Sequence, residues 1–154
     1  MTKTESIDKQ ATDVLHDLGR FVKAQEATIA RAIAELHASR KTSNWMWFVF
    51  PQIQGLGQSH MAIRYAIGSM EEARAYLAHP LLGPRLRRCV ELLLDSPSSD
   101  ADEIMGSVDA MKLRSSMTLF DLAEPGGIYA QALAKFYEGV RDLATVKMIG
   151  GALD

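Results

Sequence analysis

The sequence predicts an all-α protein, a single multihelical domain of about seven or eight helices with no sheet of consequence. Three observations carry this. Apolar residues recur at spacings of three and four along most of the chain. Serine, aspartate, glycine and proline punctuate those runs where helices start and stop. Strand-like alternation is confined to residues 45–54, too little for a sheet. The 154 residues suit one domain, taken as 13–154 behind a polar segment, 1–12, that reads either as the start of the first helix or as a frayed tail. Such a chain buries roughly 70% of its unfolded surface and needs no metal or disulfide to hold it.

Ile7, Ala11, Val14, Leu15, Leu18, Phe21 and Val22 share one helical face, which Ile29, Ile33 and Leu36 continue. Gly19 and the Gln25–Glu26 pair offer places for a break. "SHMAIRYAIG" reads as a short helix opened by Ser59, with Met61, Ile63, Tyr65 and Ile67 turned inward. In "SMEEARAYLAHP", Ser69 and Glu72 form a capping box, and Pro80 disfavours continuation. "GPRLRRCVELLLDS" puts Pro84 at the first helical position and Leu86, Cys89, Val90 and Leu93 on the inner face. Ala101 to Met105 ends at Gly106. Ser107 can cap "VDAMKLRSSMTLFDLA", which stops before Pro125. Gly139 closes "IYAQALAKFYEG", and Asp142 can cap a final short helix.

Composition limits the function classes. A hydrophobic fraction of 47% and a charged fraction of 23% are ordinary for a globular protein. With a net charge of −2 and pI ≈ 6.1, nothing favours nucleic acid as a partner. The longest apolar run is far below the ~20 residues of a membrane span, so no membrane role is expected. A single cysteine, Cys89, fits a reducing cytoplasm, and its spacing predicts a buried core residue.

Two stretches stand out as candidate chemistry. In "NWMWFVFPQIQGLGQSH", six apolar residues, four of them aromatic, run into Pro51, two glutamines and closely spaced glycines. "GLGQSH" has His60 where a dinucleotide loop needs its third glycine, and no βαβ pattern surrounds it. It reads as a turn into a capped helix whose backbone N–H groups suit an anion. In "DAMKLRSSMTLF", Leu113, Met117 and Phe120 face one way and Asp109, Lys112 and Ser116 another. Lys112 and Ser116 stand one turn apart, a surface pair or in principle a base and nucleophile. Ser115, Ser116 and Thr118 depress helix propensity, which suits a local break or a pocket wall. His16, His37, His60 and His79 show no metal-ligand spacing, so no metal or cofactor is expected. His79, before Pro80, is a helix-end or a site residue. Arg85, Arg87 and Arg88 read as a solvated face.

Read together, "DLGRFVKAQ", "WMWFVFPQIQGLGQS", "EARAYLAHPLLGPRL", "MKLRSSMTLF" and "KFYEG" followed by Asp142 and Thr145 resemble an uncharacterised bacterial family, domain of unknown function 1810. The resemblance runs from Asp17 to Gly150 and implies a mainly helical fold and no established activity. The label calpastatin sometimes given to this family finds no support here, since such an inhibitor would be long, repetitive and disordered. Asn44 stands where the family pattern leads us to expect histidine, and Met105 where it leads us to expect phenylalanine. If that histidine serves chemistry in relatives, its loss puts catalysis here in doubt.

Two functions follow as expectations. The first is a site for a phosphate- or nucleotide-like small molecule, bound or hydrolysed, between residues 45–59 and 112–118. Trp45 and Trp47 would stack on a flat group. Gln52, Ser59 and the backbone of Gly55 and Gly57 would hydrogen-bond, and His79, Lys112, Arg114, Ser115, Ser116 and Thr118 would supply polar and positive groups. The alternative is a non-catalytic interaction module or homodimer, with the Trp, Met and Phe side chains as anchors. No reaction follows from the sequence.

Overall fold

Apolar periodicity and side-chain caps produce the elements largely where the sequence places them. The computed structural model describes residues 16–153. Ile7, Ala11, Val14 and Leu15 lie outside them. Among the described residues there are ten helices: α1 Gly19–Glu26, α2 Ile29–His37, α3 Met46–Val49, α4 His60–Arg64, α5 Met70–Ala78, α6 Leu82–Asp95, α7 Ala101–Met105, α8 Ser107–Ala123, α9 Ile128–Tyr137 and α10 Leu143–Leu153. The fold class is all-α. The strand-like stretch yields one isolated parallel bridge, Ile53 to Ile67, with Ile67 N–H donating to the Gln52 carbonyl at 2.8 Å.

Several caps form as the sequence implies. The Ser59 and Ser69 hydroxyls accept from the N–H groups of Ala62 and Glu72. The Glu72 carboxylate returns to Gly68 N–H rather than to Ser69, and pairs with Arg20 at 3.1 Å. Asp142 accepts from Thr145 N–H at 3.0 Å and opens α10. Three details differ. Gly106, not Ser107, is the N-cap of α8, its φ of 87° setting the entry. Helix α6 starts at Leu82, so Pro84 sits third in the helix, still among N–H groups that have no helical partner. Ile63 is exposed, because α4 ends after one turn and Tyr65 and Ile67 reach the core from a different backbone conformation.

Helix α8 is the centre of the molecule, packed against α5, α7, α9 and α10. Leu113, Met117, Leu119 and Phe120 are fully buried on it. Aromatic rings form a continuous chain through the core. Phe48 meets Tyr65, Tyr65 meets Phe21, Phe21 meets Tyr76, Tyr76 meets Phe120 and Phe120 meets Tyr129, with centroids 5.1 to 5.8 Å apart. The run Trp45–Phe50, half-buried Trp47 excepted, is therefore core, wound around the single turn of α3. Buried Gln25 anchors that turn, its amide donating to the Phe48 carbonyl at 2.6 Å and to the Tyr76 hydroxyl at 3.0 Å. Lys135 closes the other end of the domain by donating to the carbonyls of Leu93, Leu94 and Ser96 at the C-terminus of α6.

Close approach of α5 and α6 depends on Gly83. A Cβ there would lie 2.2 Å from the Leu77 carbonyl oxygen. In an open helix, glycine to alanine stabilises by about 1 kcal/mol. Gly83→Ala is expected to do the opposite and lower stability by about 1 to 3 kcal/mol, because backbone must shift. Urea denaturation reads the sign directly, and a stabilised variant would refute the packing described.

Candidate functional site

An open cleft of about 430 Å³ lies between residues 52–59, α4, the first half of α8 and the start of α10. Each wall has a local cause. The bridge to Ile67 fixes Gln52 and Gln54 just after buried Phe50 and Pro51. Gly55 turns the chain with φ of 101°, a conformation that favours glycine. Gly57 approaches α4 so closely that a Cβ would meet the Ala62 methyl at 2.4 Å. On α8, Val108, Met111, Lys112 and Ser115 stand at the spacing of one helical face. The fourth wall, Asp142 and Ala144, is held when Asp142 N–H donates to the Thr118 hydroxyl at 2.9 Å.

Six of the sequence-derived candidates line this cleft: Gln52, Gly57, Ser59, Lys112, Arg114 and Ser115. Gly55 lies beside it, facing the Met148 side chain. Trp47 is half-buried, with the Lys112 ammonium 5.4 Å from its ring centroid. The other four are placed in the interior. Trp45 is fully buried and donates its indole N–H to Glu35 at 3.0 Å. His79 Nδ1 accepts from the N–H groups of Leu81 and Leu82, so it serves the start of α6. Thr118 bonds back to the Arg114 carbonyl at 2.8 Å, and Ser115 to Met111 at 3.3 Å. Helix α8 absorbs its hydroxyls this way without a break. Ser116 is completely buried, and its hydroxyl has no hydrogen-bond partner.

The cleft also contains groups not singled out from sequence. Leu56, Ala62, Val108, Met111 and Ala144 give it apolar walls, and Gln58 and Asp142 add polar ones. Val108 and Met111 share the helical face of Lys112, a spacing legible in the sequence. Lys41 carried no such signal. Its ammonium meets Asp109 Oδ2 at 2.8 Å from a distant loop, while Lys112 stands 3.7 Å from Asp109 Oδ1. Arg114 is committed elsewhere in part, donating to the carbonyls of Val140 and Arg141 at 2.9 and 3.1 Å.

On α2, Glu35 accepts from Thr42 N–H, Ser43 N–H, the Ser43 hydroxyl and Trp45. Burial alone would raise its pKa. The four donors outweigh burial and hold the carboxyl at about 2. Cys89 is the opposite case: burial pushes its thiol up to about 12, which makes it an inert core residue. The one-turn spacing of Lys112 and Ser116 does not make a dyad facing the cleft, since Ser116 is sealed in the core. Among the described residues, no three His, Cys, Asp or Glu side chains converge as metal ligands, and no helix is long and apolar enough to cross a membrane.

These features define an all-helical domain built on one central helix, with an open cleft between that helix and a glycine-containing loop. A family model described as protein of unknown function (DUF1810) matches residues 15–149, and the chain belongs to that family. It is similar to the conserved hypothetical protein Rv1873 from Mycobacterium tuberculosis, known from a crystal structure. The two are 48% identical, the match covers 88% of this chain and 97% of that one, and the TM-score is 0.86, so the matched part shares its fold. No curated protein matches the chain.

Proposed function

We propose that the protein binds a small molecule bearing a phosphate-type anionic group in the cleft between residues 52–59 and α8. One observation carries this reading. Gln52, Gly57 and Ser59 from the loop meet Lys112, Arg114 and Ser115 from the helix across a single cleft of ligand size. Binding rather than hydrolysis fits the site best. The one carboxylate on its walls, Asp142, already caps α10, and the serine one turn from Lys112 is buried.

Thermal shift against inorganic phosphate, nucleoside monophosphates and sugar phosphates tests the reading. A ligand at a hundred times its Kd stabilises the fold by about 2.7 kcal/mol. That gain is expected in the wild type and reduced in both Lys112→Ala and Gln52→Ala. No stabilising compound, or variants that bind as the wild type does, would overturn it. A second reading has its own support: Val108, Met111 and Leu143 at the cleft margin are 64%, 73% and 70% exposed, as interface anchors are. On that reading the protein is a dimer at micromolar concentration by light scattering, and Met111→Glu makes it a monomer.

A further inference from the structure

We infer that Lys112 is an exchangeable cation, parked against Asp109 and released to the anionic end of an amphipathic ligand whose apolar part lies on the hydrocarbon lining of the cleft. This rests on the cleft reading above and deepens it.

Asp109 has two ammonium partners, and they are unequal. Lys41 is the tight one, at 2.8 Å from Oδ2. Its ammonium also donates to the Ser43 carbonyl at 2.5 Å and lies 4.8 Å from the Trp45 ring centroid, with only 6% of the side chain exposed. It has nowhere else to go. Lys112 is the loose one, at 3.7 Å from Oδ1, with 28% of its side chain exposed and its stem on the cleft wall. Its other neighbour, the Trp47 face at 5.4 Å, is a weak attraction. If Lys112 turns into the cleft, Lys41 still neutralises Asp109, so no carboxylate is left uncompensated. A partly exposed ion pair of this kind is an easy bond to surrender.

The ligand class follows from the rest of the lining. Lys112, Gln52 and Ser59 offer donors to an anion, while Leu56, Ala62, Val108, Met111 and Ala144 line the same cleft with hydrocarbon. A free inorganic anion leaves those walls wet. An anion carrying an aryl or alkyl group covers them, and burying such a group improves affinity by about ten-fold or more.

Phenyl phosphate, inorganic phosphate and phenol are the probes, titrated against the intact chain by calorimetry and by tryptophan emission. Phenyl phosphate is expected to bind at least about ten-fold more tightly than either fragment. Its binding changes the emission, because a cation leaves an indole face. Trp47→Phe abolishes that response without abolishing binding. Lys112→Met weakens binding about ten-fold or more. Asp109→Asn, which removes the competitor for Lys112, tightens it by about two- to five-fold. In the Lys112→Met background, Asp109→Asn has no further effect. Weaker binding in Asp109→Asn, or an emission response that survives Trp47→Phe, overturns the exchange and leaves the cleft reading standing, whereas unchanged binding in Lys112→Met overturns both. Equal affinity for inorganic phosphate overturns the amphipathic ligand. If no probe binds, the exchange and the cleft reading fall together.

Discussion

Trp45→Ala is expected to lower the stability of the fold by about 3 to 5 kcal/mol, the cost of emptying a fully buried aromatic site. The indole touches solvent nowhere, packs against Phe50 with centroids 6.1 Å apart, and sits under the Lys41 ammonium. Its loss also takes one of the four donors from Glu35. Trp45→Phe keeps most of the volume but not the N–H, and should cost about 1 to 2 kcal/mol. Urea denaturation followed by far-ultraviolet circular dichroism measures both. A loss below about 1 kcal/mol for the alanine variant would mean that the ring is not the anchor described. Variants at Trp45 therefore read folding, while those at Lys112 and Gln52 read recognition.

Acid should weaken the protein through Glu35. Its folded-state pKa, about 2, lies below the unfolded value of 4.5. The stabilisation is therefore fully present above about pH 4.5 and is lost as pH falls toward 2. With the side chain largely buried, the effect is about 2 to 3 kcal/mol. Glu35→Gln removes the charge and keeps the shape. The difference in stability between wild type and this variant is expected to be large at pH 6 and to shrink toward zero near pH 2. A difference independent of pH would show that the carboxylate charge contributes nothing. The network ties the 42–45 loop to α2, and through Trp45 and Lys41 it sets the position of Asp109 under the cleft.

Much of this was legible in the sequence. Helices α5, α6, α8, α9 and α10 announce themselves because spacing and capping are local properties, and Ser59, Ser69 and Asp142 cap as their positions suggest. The aromatic run was harder. Six apolar residues fit a strand or a slice of core equally well, and the backbone bonds from Val49 to Trp45 and from Phe50 to Met46, with the Gln25 amide on the Phe48 carbonyl, decide for one helical turn. The cleft was legible on both sides but not in depth. Residues 52–59 and the Lys112 face of α8 do meet, yet Trp45, His79, Ser116 and Thr118 turn inward because the helices around them bury those faces. The amphipathic period predicts a buried face of α8. It does not reveal that α8 is covered on several sides, which is why Ser116 was expected beside Lys112 and is found in the core. The Lys41 contact joins residues far apart in the sequence, and no local pattern encodes it.

The most direct test of the cleft is a two-dimensional amide spectrum of the labelled protein titrated with phenyl phosphate. Shifts are expected to concentrate at Gln52, residues 57–59, residues 111–115 and the start of α10, with Trp47 responding and the buried Trp45 unchanged. Shifts gathered instead around the polar hollow of His37, Arg88 and Ser96, or none at saturating ligand, would contradict it.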